Sequence, residues 1–232
     1  MSIYVIADLH LSFSTDKPMN IFGSNWDNHA NKIREDWISK VKNEDTVLLL
    51  GDFSWAMTFK EAKPDFEYLN SLPGRKIMLK GNHDYWWNTV KKIKEFLLEN
   101  DFNNIDILYN NSYLIENKII CGTRGWTLNN DEENEKVLNR ELIRLELSLK
   151  NGIEKYGEDK EIIACLHYPP TSEELMENSK FIKLMNKYNV KKCYYGHLHG
   201  DAHKDAIQGN INGIQLELIS CDYTDFKLIR IQ

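Results

Sequence analysis

The sequence predicts an α/β fold of two mixed sheets, and three observations carry that expectation. Apolar strand-like runs at 3–7, 46–50 and 75–80 alternate with helical patterns at 27–42, 60–71 and 88–99. Such alternation points to parallel strands covered by helices. The stretch "ILYNNSYLIENKIICG" within 104–123 reads instead as a meander of three strands (104–109, 112–116 and 118–123) with polar turns. The last 30 residues also read as consecutive strands, with "GNINGI" as a turn.

The remaining elements follow from periodicity. Over 131–151, Val137, Leu138, Leu142, Leu145 and Leu149 recur at spacings of one, three or four, the signature of an amphipathic helix. Its acidic start, "DEENE", suits the positive end of a helix dipole. Strands are expected at 161–166, 192–195, 203–208, 211–218 and 226–231, and a further helix at 172–188. No repeat or linker divides the chain, so residues 1–232 are expected to form one domain.

Composition narrows the function. A net charge of −6 argues against a broad nucleic-acid or membrane surface. No stretch has the length of a membrane span, and "MSIYVIADLH" lacks the parts of a signal peptide. The cysteines, Cys121, Cys165, Cys193 and Cys221, form no C-x-x-C pair and are expected as reduced thiols in a cytoplasmic protein.

The chemistry lies at five strand ends. "IYVIA" is followed by Asp8-Leu9-His10, "TVLLL" by Gly51-Asp52, and "KIMLK" by Gly81-Asn82-His83-Asp84. "IIACL" is followed by His167, and "KCYY" by Gly196-His197-Leu198-His199. Carboxyl ends of parallel strands gather on one edge, where α/β sites are built. The set holds three Asp, one Asn and five of the seven histidines, although His has no preference for ending strands. Oxygen and nitrogen donors without thiolate suit divalent ions such as Mn²⁺, Fe and Zn²⁺. Residues two apart on an extended segment face one side, so Asp8 with His10, and His197 with His199, are expected to point together. Each motif alone has a bland reading as a turn or a helix cap; the five together do not. His29 and His203 fall outside the pattern and are expected to be structural.

The series D-x-H, G-D, G-N-H-D, H, G-H-x-H resembles the calcineurin-like metallophosphoesterase superfamily, in particular small bacterial phosphohydrolases. The motifs run from Asp8 to His199. The resemblance implies a four-layer α/β/β/α sandwich with two divalent metal ions at its edge, Mn²⁺ ahead of Fe or Zn²⁺. It implies that Asp8, His10, Asp52 and His199 hold one metal. Asp52, Asn82, His167 and His197 would hold the other, with Asp52 bridging. It further implies hydrolysis of a small phosphate ester by a metal-bridging hydroxide. His83 would act as general acid, oriented by Asp84. Alternatives are a nucleotide-type phosphodiesterase or pyrophosphatase and, in another class, a silent metal-binding scaffold. Retention of all seven ligands and His83 favours an enzyme.

Two departures bear on substrate. Family members that act on phosphoproteins often carry an arginine soon after G-D, whereas "GDFSWAM" has none. Arg124 is the alternative anion clamp, set against a plain surface-turn reading. In "HDYWW", Trp86 is expected beside the substrate, stacking on a base or sugar, against the usual core role of tryptophan. The motifs define neither the substrate nor the oligomeric state.

Overall fold

The computed structural model describes residues 1–128, 132–176 and 178–231. Strands β1 (Ile3–Ile6), β2 (Thr46–Leu50), β3 (Arg75–Leu79) and β4 (Ile105–Ile107) lie side by side and parallel. A second sheet holds β5 (Ser112–Ile115), β6 (Lys118–Thr123), β7 (Glu161–Leu166), β8 (Lys192–Tyr195), β9 (Gly209–Ile211) and β10 (Ile214–Leu218). Its order is β5-β6-β7-β8-β10-β9, antiparallel only at its two hairpins. The last strand, β11 (Ile229–Ile231), returns antiparallel to the free edge of β1.

Strand alternation explains the layering. Ile3, Val5, Leu48, Leu50, Ile77 and Leu79 turn toward the other sheet and meet Ile120, Ile163 and Cys165. The residues between them, among them Tyr4, Ile6, Val47, Leu49 and Met78, face helices α1 (His29–Lys40), α2 (Phe59–Ser71) and α3 (Val90–Glu99). On the far side, α4 (Glu132–Tyr156) and α5 (Lys180–Lys187) cover the second sheet. The result is the expected four-layer α/β/β/α sandwich of two mixed sheets. With both faces of each central strand buried, continuous apolar runs are what the position demands.

Several expected elements change. The meander over 104–123 is split: β4 belongs to the first sheet, and the chain crosses to the second before the β5–β6 hairpin. Asn111 secures the crossing, its amide donating to the Ile107 carbonyl and accepting from Tyr109 N–H. The strand expected at 203–208 is absent; Gly200–Asp205 forms a short 3-10 turn, since "DAHKDA" offers no apolar face to a sheet. The run 211–218 is broken by Asn212-Gly213, both at positive φ (51° and 88°), as a two-residue hairpin turn requires. Helix α4 runs on to Tyr156, because Gly152 lets it close on the sheet; a Cβ there would sit 2.6 Å from Ile119. The expected start at 131 lies outside the described residues. The helix expected at 172–188 forms only from Lys180, where Ser179 caps it by accepting from Ile182 N–H. All four cysteines are buried free thiols, and no described helix is long and apolar enough to cross a membrane.

Lys76 is the one lysine the core encloses among the described residues. Its ammonium donates to the Leu72 carbonyl at the end of α2 and lies 6.0 Å over Trp37. Burial pushes its pKa down from 10.5 to about 8. The unfolded chain therefore binds this proton more tightly, and stability should rise with pH between about 8 and 10.5. Between pH 7.5 and 10 the wild type should gain roughly 2 kcal/mol relative to Lys76→Met. Urea unfolding of both proteins at the two pH values checks this.

Candidate metal centre

Three of the five strand-end motifs leave their strands by a left-handed bend. Asp8 (φ 63°), His10 (45°), Asp52 (49°) and His197 (76°) all adopt the left-handed conformation. The expectation that Asp8 and His10 converge through extended-strand alternation is therefore corrected: two left-handed kinks aim them. Non-glycine residues tolerate this at a cost of about 1–2 kcal/mol each, so the surroundings must hold them. Adjacent strand ends do so by cross-bonding, Asp8 N–H to the Gly51 carbonyl (3.0 Å) and His10 N–H to that of Asp52 (2.9 Å). Close backbone approach is needed at Gly81 and Gly196. A Cβ on Gly81 would lie 2.1 Å from Asp52 Oδ1, and one on Gly196 would lie 2.4 Å from Asp8 Oδ2.

Two donor sets meet at Asp52. On one side, His10 Nε2 lies 3.3 Å from His199 Nε2 and 3.8 Å from Asp52 Oδ2, while His199 Nε2 is 3.7 Å from Asp8 Oδ1. On the other, Asn82 Oδ1 lies 2.6 Å from His167 Nε2 and 2.9 Å from His197 Nδ1, and His167 Nε2 is 3.5 Å from Asp52 Oδ2. Thus the seven residues expected as ligands come together from five strand ends. Within them, Asp8, His10 and His199, and likewise Asp8, Asp52 and His167, have donor atoms close enough to share an ion.

The donor chemistry fits a cation. His167 Nδ1 points at the Leu50 carbonyl (2.9 Å), so the proton sits on Nδ1 and Nε2 carries a lone pair. That lone pair faces the Asn82 oxygen at 2.6 Å. Two acceptors so close repel unless a positive ion takes both. Asp8 Oδ1 is buried with no hydrogen-bond partner, a second acceptor awaiting a charge. The carboxylates respond to one another as well. Burial pushes the Asp52 carboxyl up to about 8, and the charge of Asp8 adds to the rise. Burial would raise Asp8 too, but the close approach of His199 and the other imidazoles outweighs it and holds Asp8 ionised. Without a metal, the ionised carboxylate of one disfavours ionisation of the other.

His83 belongs to neither donor set. It is half-buried, its ring is 4.4 Å from that of Trp55, and Nδ1 lies 3.3 Å from the Tyr85 hydroxyl. The expected partnership with Asp84 is not present. Asp84 is fully buried and accepts from the backbone N–H groups of Asp52 (3.0 Å), Phe53 (2.9 Å), Ser54 (3.3 Å) and Gly81 (2.7 Å). Its carboxylate thereby ties the end of β2 to the end of β3. Nor does Trp86 reach a substrate mouth. It is 2% exposed, packs on Phe66 and Phe53, and gives its indole N–H to Asp84 (3.1 Å).

Several residues at the site carry no signal in the motifs. Trp55 stacks on His10 at 4.9 Å and also meets His83, so this tryptophan, not Trp86, flanks the centre. Trp26 meets the edges of His10 and His199. Asp222 accepts from His199 Nδ1 at 2.8 Å and fixes that ring. It follows the exit from β10, so the strand-end rule could have found it. His203 also approaches Asp222, at 3.2 Å, and His29 bonds the Leu9 and Trp26 carbonyls, the structural role expected of it. Arg124 is not a surface-turn residue: its side chain is 14% exposed, near Glu141 and over Trp126.

From His197, a groove of about 690 Å³ opens over Tyr168, Trp126, Leu128, Leu175 and Leu198. It gives the centre an aromatic and apolar flank, with Glu173, Glu174, Lys204 and Asp205 along its lining.

Comparison with known proteins bears on family and fold. The sequence model of the calcineurin-like phosphoesterases matches residues 1–201. No curated protein matches the chain. Among solved structures, a protein of unknown function from Aquifex aeolicus is similar over 99% of this chain and 95% of its own, with 19% identity and a TM-score of 0.53. A phosphopantetheinyl hydrolase from Mycobacterium tuberculosis has 11% identity and a TM-score of 0.56, with coverage of 99% and 95%. A protein of Thermus thermophilus has 11% identity and a TM-score of 0.60, with coverage of 99% and 97%. At these identities the likeness is one of fold.

The Asp84 geometry makes a test. In Asp84→Asn, an amide NH₂ would face backbone N–H donors, so the variant should lose about 2–4 kcal/mol of stability and bind metal more weakly. Chemical denaturation and metal titration measure the two effects. If Asp84 instead served His83, stability and metal affinity would hold while turnover fell.

Proposed function

The chain belongs to the calcineurin-like phosphoesterase family, and we propose that it is a binuclear metal-dependent phosphoesterase acting on a small phosphate ester. The observation that carries this reading is the pair of donor sets sharing Asp52, with lone pairs facing each other across a buried space. Asp8, His10, Asp52 and His199 would hold one ion, and Asp52, Asn82, His167 and His197 the other. Mn²⁺ is the first choice, ahead of Fe or Zn²⁺, given a donor set without thiolate. When bound, such a pair supplies Lewis acidity and an activated water at neutral pH.

The chain's own residues do the rest. Asp222 sets the His199 ring, and Trp55 and Trp26 shield His10 from water. His83 stands at the edge of the donor sets and would hand its ring proton to the departing oxygen. Burial lowers its pKa, so an anionic substrate must sit beside it for the imidazolium to persist. Tyr85, 51% exposed and in contact with His83, would help seat the substrate. Aromatic side chains predominate beside His83, and the groove from His197 has room for an organic leaving group. A diester or nucleotide-type ester therefore suits the site better than a bare monoester, which gains more from an arginine clamp.

Two outcomes test the reading. Asp52→Ala should lose both metals, as elemental analysis of the purified variant would record; full occupancy would remove Asp52 from its bridging role. His83→Ala should keep its metals and lose roughly 10²–10⁴-fold in rate. That loss should shrink with nitrophenolate leaving groups, which need no proton. In the same assays the wild type should show higher kcat/KM for bis-nitrophenyl phosphate than for nitrophenyl phosphate. A fully metal-loaded protein inert toward mono-, di- and pyrophosphate esters would favour the silent scaffold.

A further inference from the structure

A second cavity, about 330 Å³, lies between the end of β3 and the middle of α4, and none of the seven candidate metal ligands lines it. Its charged residues are Lys80, Arg124, Arg140, Glu141 and Arg144. Four cations against one carboxylate leave a local charge of +3 in a chain whose net charge is −6.

One buried carboxylate, already paired with Arg144, is too little to neutralise all four cations. Glu141 is fully buried, and its Oε2 is occupied by the Thr123 hydroxyl at 2.6 Å. Its other oxygen, Oε1, faces three guanidiniums: Arg144 Nη1 at 2.5 Å, Arg124 Nη2 at 3.6 Å and Arg140 Nε at 3.8 Å. Arg124 Nε is buried with no hydrogen-bond partner. Lys80 is half-buried and makes no hydrogen bond or ion pair with any described residue. Nor are these loosely solvated side chains. Arg124 lies 4.4 Å over the Trp126 ring, and Arg144 lies 5.0 Å over Tyr109 while donating to its hydroxyl at 2.8 Å. Like charges fixed this close repel strongly in a partly desolvated site. Guanidinium N–H groups held in place suit a planar or tetrahedral oxyanion.

We propose that this cavity is an oxyanion-binding site, taking a phosphate or another group that carries at least two negative charges. The assignment stands apart from the metal centre, although the two adjoin. Lys80 lies two residues before Asn82, and the Arg124 carbonyl accepts the N–H groups of His167 (3.0 Å) and Tyr168 (2.9 Å). The occupant is thus either a second phosphate on the substrate or a free anion.

The probe is inorganic phosphate, titrated calorimetrically into wild type and Lys80→Ala/Arg140→Ala. Lys80 makes no hydrogen bond or ion pair with any described residue, and Arg140 is 55% exposed, so the pair can be replaced without emptying the core. Metal-loaded and chelated protein are run side by side, because phosphate held at the metals disappears on chelation and phosphate in this cavity does not. The expected result is a binding event that survives chelation, weakens steeply with added salt, and loses at least tenfold in affinity in the double variant. Absence of that event from chelated wild type, or equal affinity in the double variant, would overturn the site. The source is read from KM. A tenfold rise for a nucleoside 3′,5′-bisphosphate with none for bis-nitrophenyl phosphate assigns the cavity to the substrate. Unchanged KM for both, with phosphate binding lost, assigns it to a free anion.

Discussion

Acceptor atoms held against one another are the constraint on which the rest of this structure depends. Asn82 Oδ1 and the bare Nε2 of His167 stand 2.6 Å apart, and in the absence of a metal the charge of Asp8 works against ionisation of Asp52. Such a cluster is unfavourable as a free-standing arrangement of side chains. It persists only where the backbone leaves no alternative, and it gains its stability when positive charge enters. The buried, nearly dry setting sharpens both effects, since repulsion and attraction grow together as the dielectric falls.

The scaffold supplies that compulsion from two sheets at once. Asp8, Asp52 and Asn82 follow strands of the first sheet, and His167 and His197 follow strands of the second. The core between the sheets brings the two edges together, and a bridge between Ala7 and Ser220 stitches one edge to the other. Asp84 then gathers the N–H groups at the ends of β2 and β3, so that the carboxylate of Asp52 has one place to go. Trp86 serves from below by completing the hydrogen bonding of Asp84. A charge buried for structural reasons thus sits directly beneath the donor groups of the candidate metal centre.

Charge is distributed to match. The chain is acidic overall, yet two concave regions lie side by side at the same strand ends, one proposed to become positive when metal enters and one carrying Lys80 and three arginines. Beside them runs the aromatic and apolar groove over Tyr168 and Trp126. Trp126 contacts both, packing on Tyr168 at 5.4 Å and supporting Arg124 on its ring. A ligand with an anionic end and an organic body would find each part matched within one surface.

The sequence by itself determined the layered α/β architecture and the donor residues that come together at the candidate metal centre. Burial on both faces writes a strand as an unbroken apolar run, and a donor at the end of such a run has few structural reasons to be there. Asp8, Asp52, Asn82, His167, His197 and His199 were legible for that reason. How they converge was not, because the left-handed kinks at Asp8, His10 and Asp52 are imposed by hydrogen bonds between neighbouring strand ends. The same limit hid Asp222 and Trp26, whose contacts with His199 span long stretches of chain. It also misplaced Asp84 and Trp86, whose neighbours in sequence are site residues but whose side chains turn inward. Only the tertiary structure decided these, since proximity along the chain says nothing of which way a buried side chain faces once its loop is pinned. The four cations around Glu141 belong with them: Lys80, Arg124, Arg140 and Arg144 come from three separate segments, and only folding makes their charges add.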